Sequence, residues 1–507
     1  MKIILIHPPQ VKPSEPPVGI ARLSACLRAN NVEHTIIDAN LEGILYLLRQ
    51  TGQTEQTGRW DRRACRNMSQ NLAAIKNIHI YSNIDKYSRA VSDTNRVLDL
   101  SGQPFGTHLT LADFTHSRLS AVRSNDLFYA ALHPEENPYY PYFQKRLSEA
   151  LSDSPGYIGF SLNYLSQALC AFAMIGFIRK TAPGQKILLG GSLATSWIRI
   201  TGRNDWFKGL IDEVVCGPGE DRLLELAGVK ERSLSPSVDY ALFTPNAYLS
   251  PGFALPYSVA RGCWWRRCAF CPESAEANPY RTISSGQVTT ELQNLATLCR
   301  PSLFHFVDSS LAPALLGALI NRPPGVPWYG FARVTRHLTD LDFCRALKES
   351  GCVMLQLGIE SGDQHVLDNL NKGIDLKDVA VALSNLHAAG IAVYGYFLFG
   401  TPPENEVSAL RTLDFVIKNS EYLTYLNLAI FNLPALSPDA RTLASGDFYE
   451  GDLSLYRTFR HPQDWQRQNV RIFLDKTVKR HPAVAAILRR TPAFFTSNHA
   501  PFFHVAK

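Results

Sequence analysis

Arg261-Gly-Cys-Trp-Trp-Arg-Arg-Cys-Ala-Phe-Cys-Pro272 is the stretch on which the reading of this chain turns. It holds Cys263, Cys268 and Cys271 in one short loop, with the spacing C-x4-C-x2-C. Three thiolates are a soft, metal-seeking set. A structural zinc site closes a tetrahedron with four protein ligands. An iron–sulfur cubane held by three thiolates leaves one iron open to an exogenous molecule. The loop contains no histidine, and Cys299, at the end of an expected helix, is the candidate fourth ligand for zinc. Ligand count favours the cubane, with zinc as the alternative.

Downstream of the loop the chain is periodic. Strands are expected at 257–261, 303–308, 328–333, 353–358, 392–399 and 425–431, with helices at 287–298, 341–349, 376–388 and 406–417. Six strand–helix repeats at roughly 30-residue spacing predict a parallel, partial (β/α)6 barrel over 251–435. Active sites of such folds gather at the C-terminal ends of the strands. The cysteine loop is expected directly after the first strand. The last segment, 436–507, is basic and aromatic and is expected as a small, mostly helical C-terminal extension.

Upstream, strands are expected at 2–7, 34–38, 157–162, 186–189 and 211–215, with helices at 19–28 and 167–179. This alternation predicts an α/β, Rossmann-like doubly wound domain over 1–225. No compact sheet needs the long connection between its second and third strands. Residues 44–150 are therefore read as an inserted, largely helical subdomain or lid, with a partly disordered decoration as the alternative. A Ser- and Pro-rich stretch, 226–250, reads as a linker.

The 507 residues carry a net charge of +6, too mild an excess to argue for nucleic acid. No apolar run reaches the length of a membrane span. Met1–His7 is stopped by Pro8-Pro9 and reads as a buried strand, not a signal peptide. Ten cysteines without a secretory signal suit a reducing, cytoplasmic setting. Cys26, Cys65, Cys170, Cys344 and Cys352 lie in apolar contexts and are expected to be inert thiols.

The cysteine loop resembles that of the radical S-adenosylmethionine superfamily, although its first gap is one residue longer than the usual C-x3-C-x2-C. The resemblance implies that Cys263, Cys268 and Cys271 hold a [4Fe–4S] cluster and that Phe270 lies beside the adenine of S-adenosylmethionine. It implies further cofactor contacts along the barrel. Phe304-His305-Phe306-Val307-Asp308 resembles the second strand, with Asp308 facing the methionine part. Arg333 ends the third strand, placed to meet a carboxylate. Gly358-Ile359-Glu360-Ser361-Gly362 resembles the segment near the ribose and sulfonium, so Gly358, Glu360 and Ser361 are candidate ligands. The run from Gly395 to Glu404 resembles the segment passing the adenine, with Gly400 and Pro402 as contacts.

The N-terminal domain resembles the cobalamin-binding domain fused to many of these enzymes. The likeness rests on Pro8-Pro9, on Pro16-Pro17-Val18-Gly19-Ile20, on Ser161-Leu162, on Gly190-Gly191-Ser192 and on Val215-Cys216-Gly217-Pro218-Gly219-Glu220. It implies cobalamin contacts at Pro17, Gly19, Ser161, Leu162, Gly190 and Gly191. The family's Asp-x-His-x-x-Gly motif is missing after the first strand, which implies cobalamin without a histidine on its lower face. A Rossmann-like domain that has lost cobalamin is the alternative.

The resemblance implies an enzyme that cleaves S-adenosylmethionine reductively to methylate an unactivated carbon. Cyclisation or rearrangement, methylthiotransfer, and a non-enzymatic cobalamin or iron–sulfur sensor are the other readings. Expected partners are a small-molecule or peptide substrate and an electron donor such as flavodoxin or ferredoxin, with neither nucleic acid nor membrane.

Overall fold

The computed structural model describes residues 1–50, 58–233, 237–443, 445–447 and 451–505. The chain divides into two compact units, the first formed mainly by Met1–Phe253 and the second mainly by Ala254–Phe448 and Tyr456–Pro492.

The first unit begins with β1 (Ile3–His7), α1 (Val18–Ala29), β2 (His34–Asp38) and α2 (Ala39–Arg49). β1 is buried throughout, as the run Ile-Ile-Leu-Ile demands of a central parallel strand. The insertion follows. Its helices are α3 (Arg59–Arg66), α4 (Met68–Ile75) and α5 (Ile84–Gly102), and after a hairpin of β3 (Thr107–Leu109) and β4 (Phe114–His116) come α6 (Ser124–Leu132) and α7 (Tyr140–Ser152). It is helical with its own core, in which Tyr81, Tyr87, Val91, Leu98 and Leu127 are buried. The sheet resumes with β5 (Tyr157–Ser161), α8 (Leu165–Thr181), β6 (Lys186–Gly190), α9 (Ser192–Thr201), β7 (Glu213–Val214) and α10 (Glu220–Leu226).

All pairings in this sheet are parallel, in the order β2-β1-β5-β6-β7. With the insertion set aside, that is the flavodoxin-like order, whose ligand crevice opens at the C-terminal ends of β1 and β5. Two expectations change in detail. The fifth strand is only two residues long, not 211–215, because Ile211 makes an isolated bridge with Lys208. Residues 237–250, read as a linker, pack within the first unit. Asp239 pairs with Arg28 at 2.8 Å, Tyr248 donates to Asp38 at 2.5 Å, and Val238, Tyr240 and Leu249 are buried.

The second unit starts with β8 (Ala254–Tyr257). A two-residue strand, β9 (Ala260–Arg261), pairs antiparallel with β10 (Arg281–Thr282), and the short helix α11 (Pro272–Ala275) lies between them. Then come α12 (Ser285–Cys299), β11 (Leu303–Leu311), α13 (Pro313–Asn321), β12 (Trp328–Ala332), α14 (Leu341–Glu349), β13 (Cys352–Glu360), α15 (Gln364–Asn369), α16 (Leu376–Ala388), β14 (Ala392–Phe399), α17 (Glu406–Lys418) and β15 (Tyr425–Ile430). Six parallel strands run in the order β8-β11-β12-β13-β14-β15, an open barrel wall with helices between consecutive strands.

The first barrel strand therefore ends at Tyr257, earlier than expected, and the cysteine loop follows the β9 ribbon. The C-terminal extension is not wholly helical. β16 (Leu433–Pro434), β17 (Ser445–Asp447) and β18 (Tyr456–Phe459) form a small antiparallel sheet before the last helices. Among the described residues, no helix is long and apolar enough to cross a membrane.

Candidate functional site

The cysteine loop is fastened on two sides. Trp264 donates its indole N–H to Ser310 Oγ on β11 at 3.2 Å. Trp265 donates to the Asn371 carbonyl at 3.0 Å, and the Ala269 N–H donates to the Leu370 carbonyl at 3.0 Å. The turn after α15 thus forms a seat for the loop. Gly373 in that turn has φ of +65°, and a β-carbon there would lie 2.2 Å from the Trp265 ring. Glycine is required at this position on both grounds. The extra residue in the first cysteine gap is accommodated at Arg266, whose φ is +53°.

The three thiols sit in different surroundings. Cys268 is buried, while Cys263 and Cys271 are half-buried. Burial pushes the Cys271 thiol up to about 11, opposed by the nearby backbone N–H groups of Glu273 and Ser274. Burial also raises Cys268, opposed by the charges of Lys372 and Arg333. Donors and cations aimed at sulfur are what a ligating thiolate needs.

Among the described residues, no three His, Cys, Asp or Glu side chains gather closely enough to hold one metal ion. A polynuclear cluster takes each thiolate on a different iron, so its ligands need not converge on a point. The donor set fits such a cluster.

Arg333 reaches the same loop. Its guanidinium donates to Cys268 Sγ at 3.8 Å and to the Lys372 carbonyl. It lies 4.2 Å from the Trp265 ring centroid and 5.7 Å from that of Trp264. Its protein partners are thus a thiol, a carbonyl and two rings.

Glu360 ends β13 with φ of +69°, and its Oε1 pairs with Lys372 Nζ at 2.9 Å. Only 13% and 6% of these side chains are exposed. The Lys372 ammonium stands 5.5 Å from the Phe270 ring centroid. Gly358 is explained by this pair, since a β-carbon there would come 2.6 Å from Glu360 Oε1 and 2.9 Å from Lys372 Nζ. Glu360, Gly358, Phe270, Arg333 and Cys268 are therefore linked through Lys372 or the cysteine loop. Lys372 went unread in the sequence. Its only signal was the Asn-Lys-Gly run shortly after Gly-Ile-Glu-Ser.

Other expected ligands have structural partners. Asp308 lies where β11 breaks register with β12, and both carboxylate oxygens accept the Val259 N–H at 3.0 Å. Oδ1 also accepts from Ala260 at 2.5 Å. The irregularity turns its side chain onto the chain entering the cysteine loop. Ser361 is fully buried, bonded to Thr412 Oγ1 at 3.1 Å and accepting from the Asp363 N–H at 3.1 Å. The Gly400 N–H donates to the buried Glu404 carboxylate, which also accepts from Trp465 Nε1 at 3.2 Å. Pro402 is half-buried between them.

In the first unit, Ser161 and Leu162 leave β5 beside Gly190 and Gly191, which leave β6. The Leu162 N–H donates to the Gly190 carbonyl at 2.8 Å. Gly191 has φ of +104°, and a β-carbon would lie 2.2 Å from the Leu162 carbonyl oxygen. Asn163, unread in the sequence, joins the two loops. It donates to Ser161 Oγ at 3.1 Å and accepts from the Ser192 N–H at 3.0 Å. Pro17 precedes α1 and its carbonyl accepts from Ala21 at 3.1 Å, while Gly19 is exposed with open space beside it. Ser161, Leu162, Gly190 and Gly191 thus lie at the C-terminal ends of β5 and β6, of which β5 borders the crevice of a flavodoxin-like sheet.

Residues 257–416 match the model of the radical SAM superfamily. A 71-residue stretch is 39% identical to bacteriochlorophyllide d C-12(1)-methyltransferase of Chlorobaculum tepidum, covering 14% of this chain and 16% of that protein. An uncharacterized methyltransferase of Pyrococcus horikoshii is 26% identical over 193 residues, 36% of this chain and 41% of its own length. The chain thus spans less than half the length of these relatives. Among solved structures, the radical S-adenosylmethionine methyltransferase TsrM of Kitasatospora setae, determined with cobalamin and a [4Fe–4S] cluster, superposes with a TM-score of 0.54. It is 16% identical, with 92% of this chain and 84% of TsrM covered. At that identity the likeness is one of fold.

Proposed function

We propose, for a chain whose residues 257–416 form a radical SAM domain, that it is a cobalamin-dependent enzyme that cleaves S-adenosylmethionine and methylates an unactivated carbon. One observation carries the reading. Three cysteines lie in one short loop after the first barrel strand, and the Arg333 guanidinium donates to the Cys268 sulfur.

When bound, the cluster supplies the electron that splits S-adenosylmethionine into methionine and a 5′-deoxyadenosyl radical, and cobalamin supplies the means of carrying methyl. The chain's own residues do the rest. Cys263, Cys268 and Cys271 hold the cluster. Glu360 offers a carboxylate oxygen, fixed by Lys372, beside a sulfonium cation. Phe270 presents its ring edge and backbone to a flat base. Ser161, Asn163 and Gly191 form the joined ends of β5 and β6, against which a bulky tail would lie, and Gly191 lets the two loops close on each other. Pro17, Gly19, Leu162 and Gly190 border it. A small-molecule or peptide substrate and a flavodoxin- or ferredoxin-type electron donor complete the proposal.

The test is anaerobic reconstitution with iron, sulfide and cobalamin, followed by reduction with labelled S-adenosylmethionine. The wild-type chain should release 5′-deoxyadenosine. Replacing any one of Cys263, Cys268 or Cys271 by Ala should abolish release and lower bound iron. Release that persists in C268A, or a wild-type chain that holds one zinc ion and no iron, would overturn the reading. Absence of cobalamin absorbance in titration would remove the cobalamin part alone.

A further inference from the structure

The four residues between Cys263 and Cys268 are Trp264, Trp265, Arg266 and Arg267. The two tryptophans stand at 79° to one another, with ring centroids 6.1 Å apart. Each has its indole N–H tied down, one to β11 and one to the turn after α15. Their rings are therefore held in fixed orientation around one side chain, the Arg333 guanidinium.

We propose that this tryptophan pair is a clamp that pins Arg333 as a hydrogen-bond donor to the Cys268 sulfur, and that this donor sets the reduction potential of the cluster. The inference rests on the cluster reading given above and assigns Arg333 as a positioning and tuning residue.

Three observations carry it. The guanidinium is 7% exposed, so solvent screens it weakly. Its partners among the described residues are Cys268 Sγ, the Lys372 carbonyl and the two indoles, and Glu360 acts on it only at longer range than an ion pair. Glu360 is instead paired directly with the other nearby cation, Lys372, at 2.9 Å. Arg333 is thus the cation that donates directly to this sulfur without a carboxylate in contact. Its planar fork suits simultaneous stacking and donation, which an ammonium cannot reproduce.

The physical consequence has a sign. The couple is the one-electron reduction of the cluster from its 2+ to its 1+ state. Reduction adds negative charge to the iron–sulfur core and its thiolates. A cationic N–H donor at sulfur stabilises the reduced state more than the oxidised one, so it raises the potential.

The experiment is potentiometric titration of reconstituted wild type, R333Q, R333K and W265L. Titanium(III) citrate is the reductant, and the reduced cluster is followed by electron paramagnetic resonance. Iron and sulfide are counted per chain beforehand. R333Q should keep its iron and titrate at a more negative midpoint than wild type. R333K and W265L should shift in the same direction by less. If R333Q takes up no iron, R333K and W265L decide. A negative shift in both supports the clamp, and wild-type potentials in both overturn it. An intact R333Q cluster at the wild-type potential overturns the inference, as does one at that potential with weakened S-adenosylmethionine binding, which would make Arg333 a ligand for the methionine carboxylate. Those outcomes leave the cluster reading standing. A wild-type chain without any cluster would remove both.

Discussion

Cys268 gathers charge from two residues that are distant in sequence, Arg333 and Lys372. Lys372 depends in turn on Glu360. With so little of either side chain exposed, the pair behaves as a buried ion pair. Removing one member leaves the other charge uncompensated. E360Q should therefore destabilise the chain by about 3 kcal/mol, read from its urea unfolding midpoint. E360Q combined with K372M should recover part of that loss; a double variant no more stable than E360Q would show that the pair is not the source. Gly373 supports the loop by having no side chain. G373A places a methyl into the Trp265 ring and strains a positive φ. It should cost at least about 1 kcal/mol and reduce iron uptake on reconstitution. Full iron occupancy in G373A would show that the seat does not position the cysteines.

At the scale of elements, the loop after β14 holds a buried acid. Burial pushes the Glu404 carboxyl up to about 8 from its ordinary 4.5, opposed by donation from Gly400 and Trp465, and Asp363 adds to the rise. Below 4.5 both folded and unfolded chains carry the proton. Between 4.5 and about 8 only the folded chain keeps it, so stability falls as pH rises through that window and levels off above it. E404Q retains a carbonyl oxygen for both donors and cannot ionise. Its melting temperature relative to wild type should therefore climb steadily from the acidic to the alkaline end of the window. A constant difference between the two melting curves would mean that Glu404 does not titrate there. The β5 and β6 loops carry a parallel constraint. G191A drives a methyl into the Leu162 carbonyl, and it should weaken cobalamin uptake together with stability, measured by absorbance titration and by denaturation.

At the scale of the whole molecule, the chain does not end its first unit at Phe253. A later stretch ending at Leu455 returns to it. Leu453 is fully buried and its N–H donates to the Val122 carbonyl at 2.9 Å. Asp452 accepts from the Ser124 N–H at 2.8 Å and from the Ser124 hydroxyl. A β-carbon on Gly451 would collide with the Val122 carbonyl at 2.0 Å. The insertion is thus completed by residues more than three hundred positions downstream. D452A removes two hydrogen bonds from an exposed carboxylate and should cost about 1 kcal/mol. Limited proteolysis should then cut the 451–455 segment faster than in wild type. An unchanged digestion pattern would count against this segment as a structural strap.

The sequence by itself determined the two parallel sheets, because buried strands such as Ile3–His7 and Val353–Gly358 are predominantly apolar runs recurring between helical segments. It placed the three cysteines of the candidate site together too, because three thiols in one loop are local. Boundaries were less legible where pairing decides them. The first barrel strand stops at Tyr257 because the following residues pair with Arg281–Thr282 instead of the barrel. Only the tertiary structure showed that Asp308 serves the backbone of Val259 and Ala260, that Ser361 is held by Thr412, and that Arg333 donates to the Cys268 sulfur. Periodicity and spacing report which face of an element is apolar. They carry no record of which polar groups from separate strands are brought within hydrogen-bonding distance, and that distance fixes the charge around a ligand.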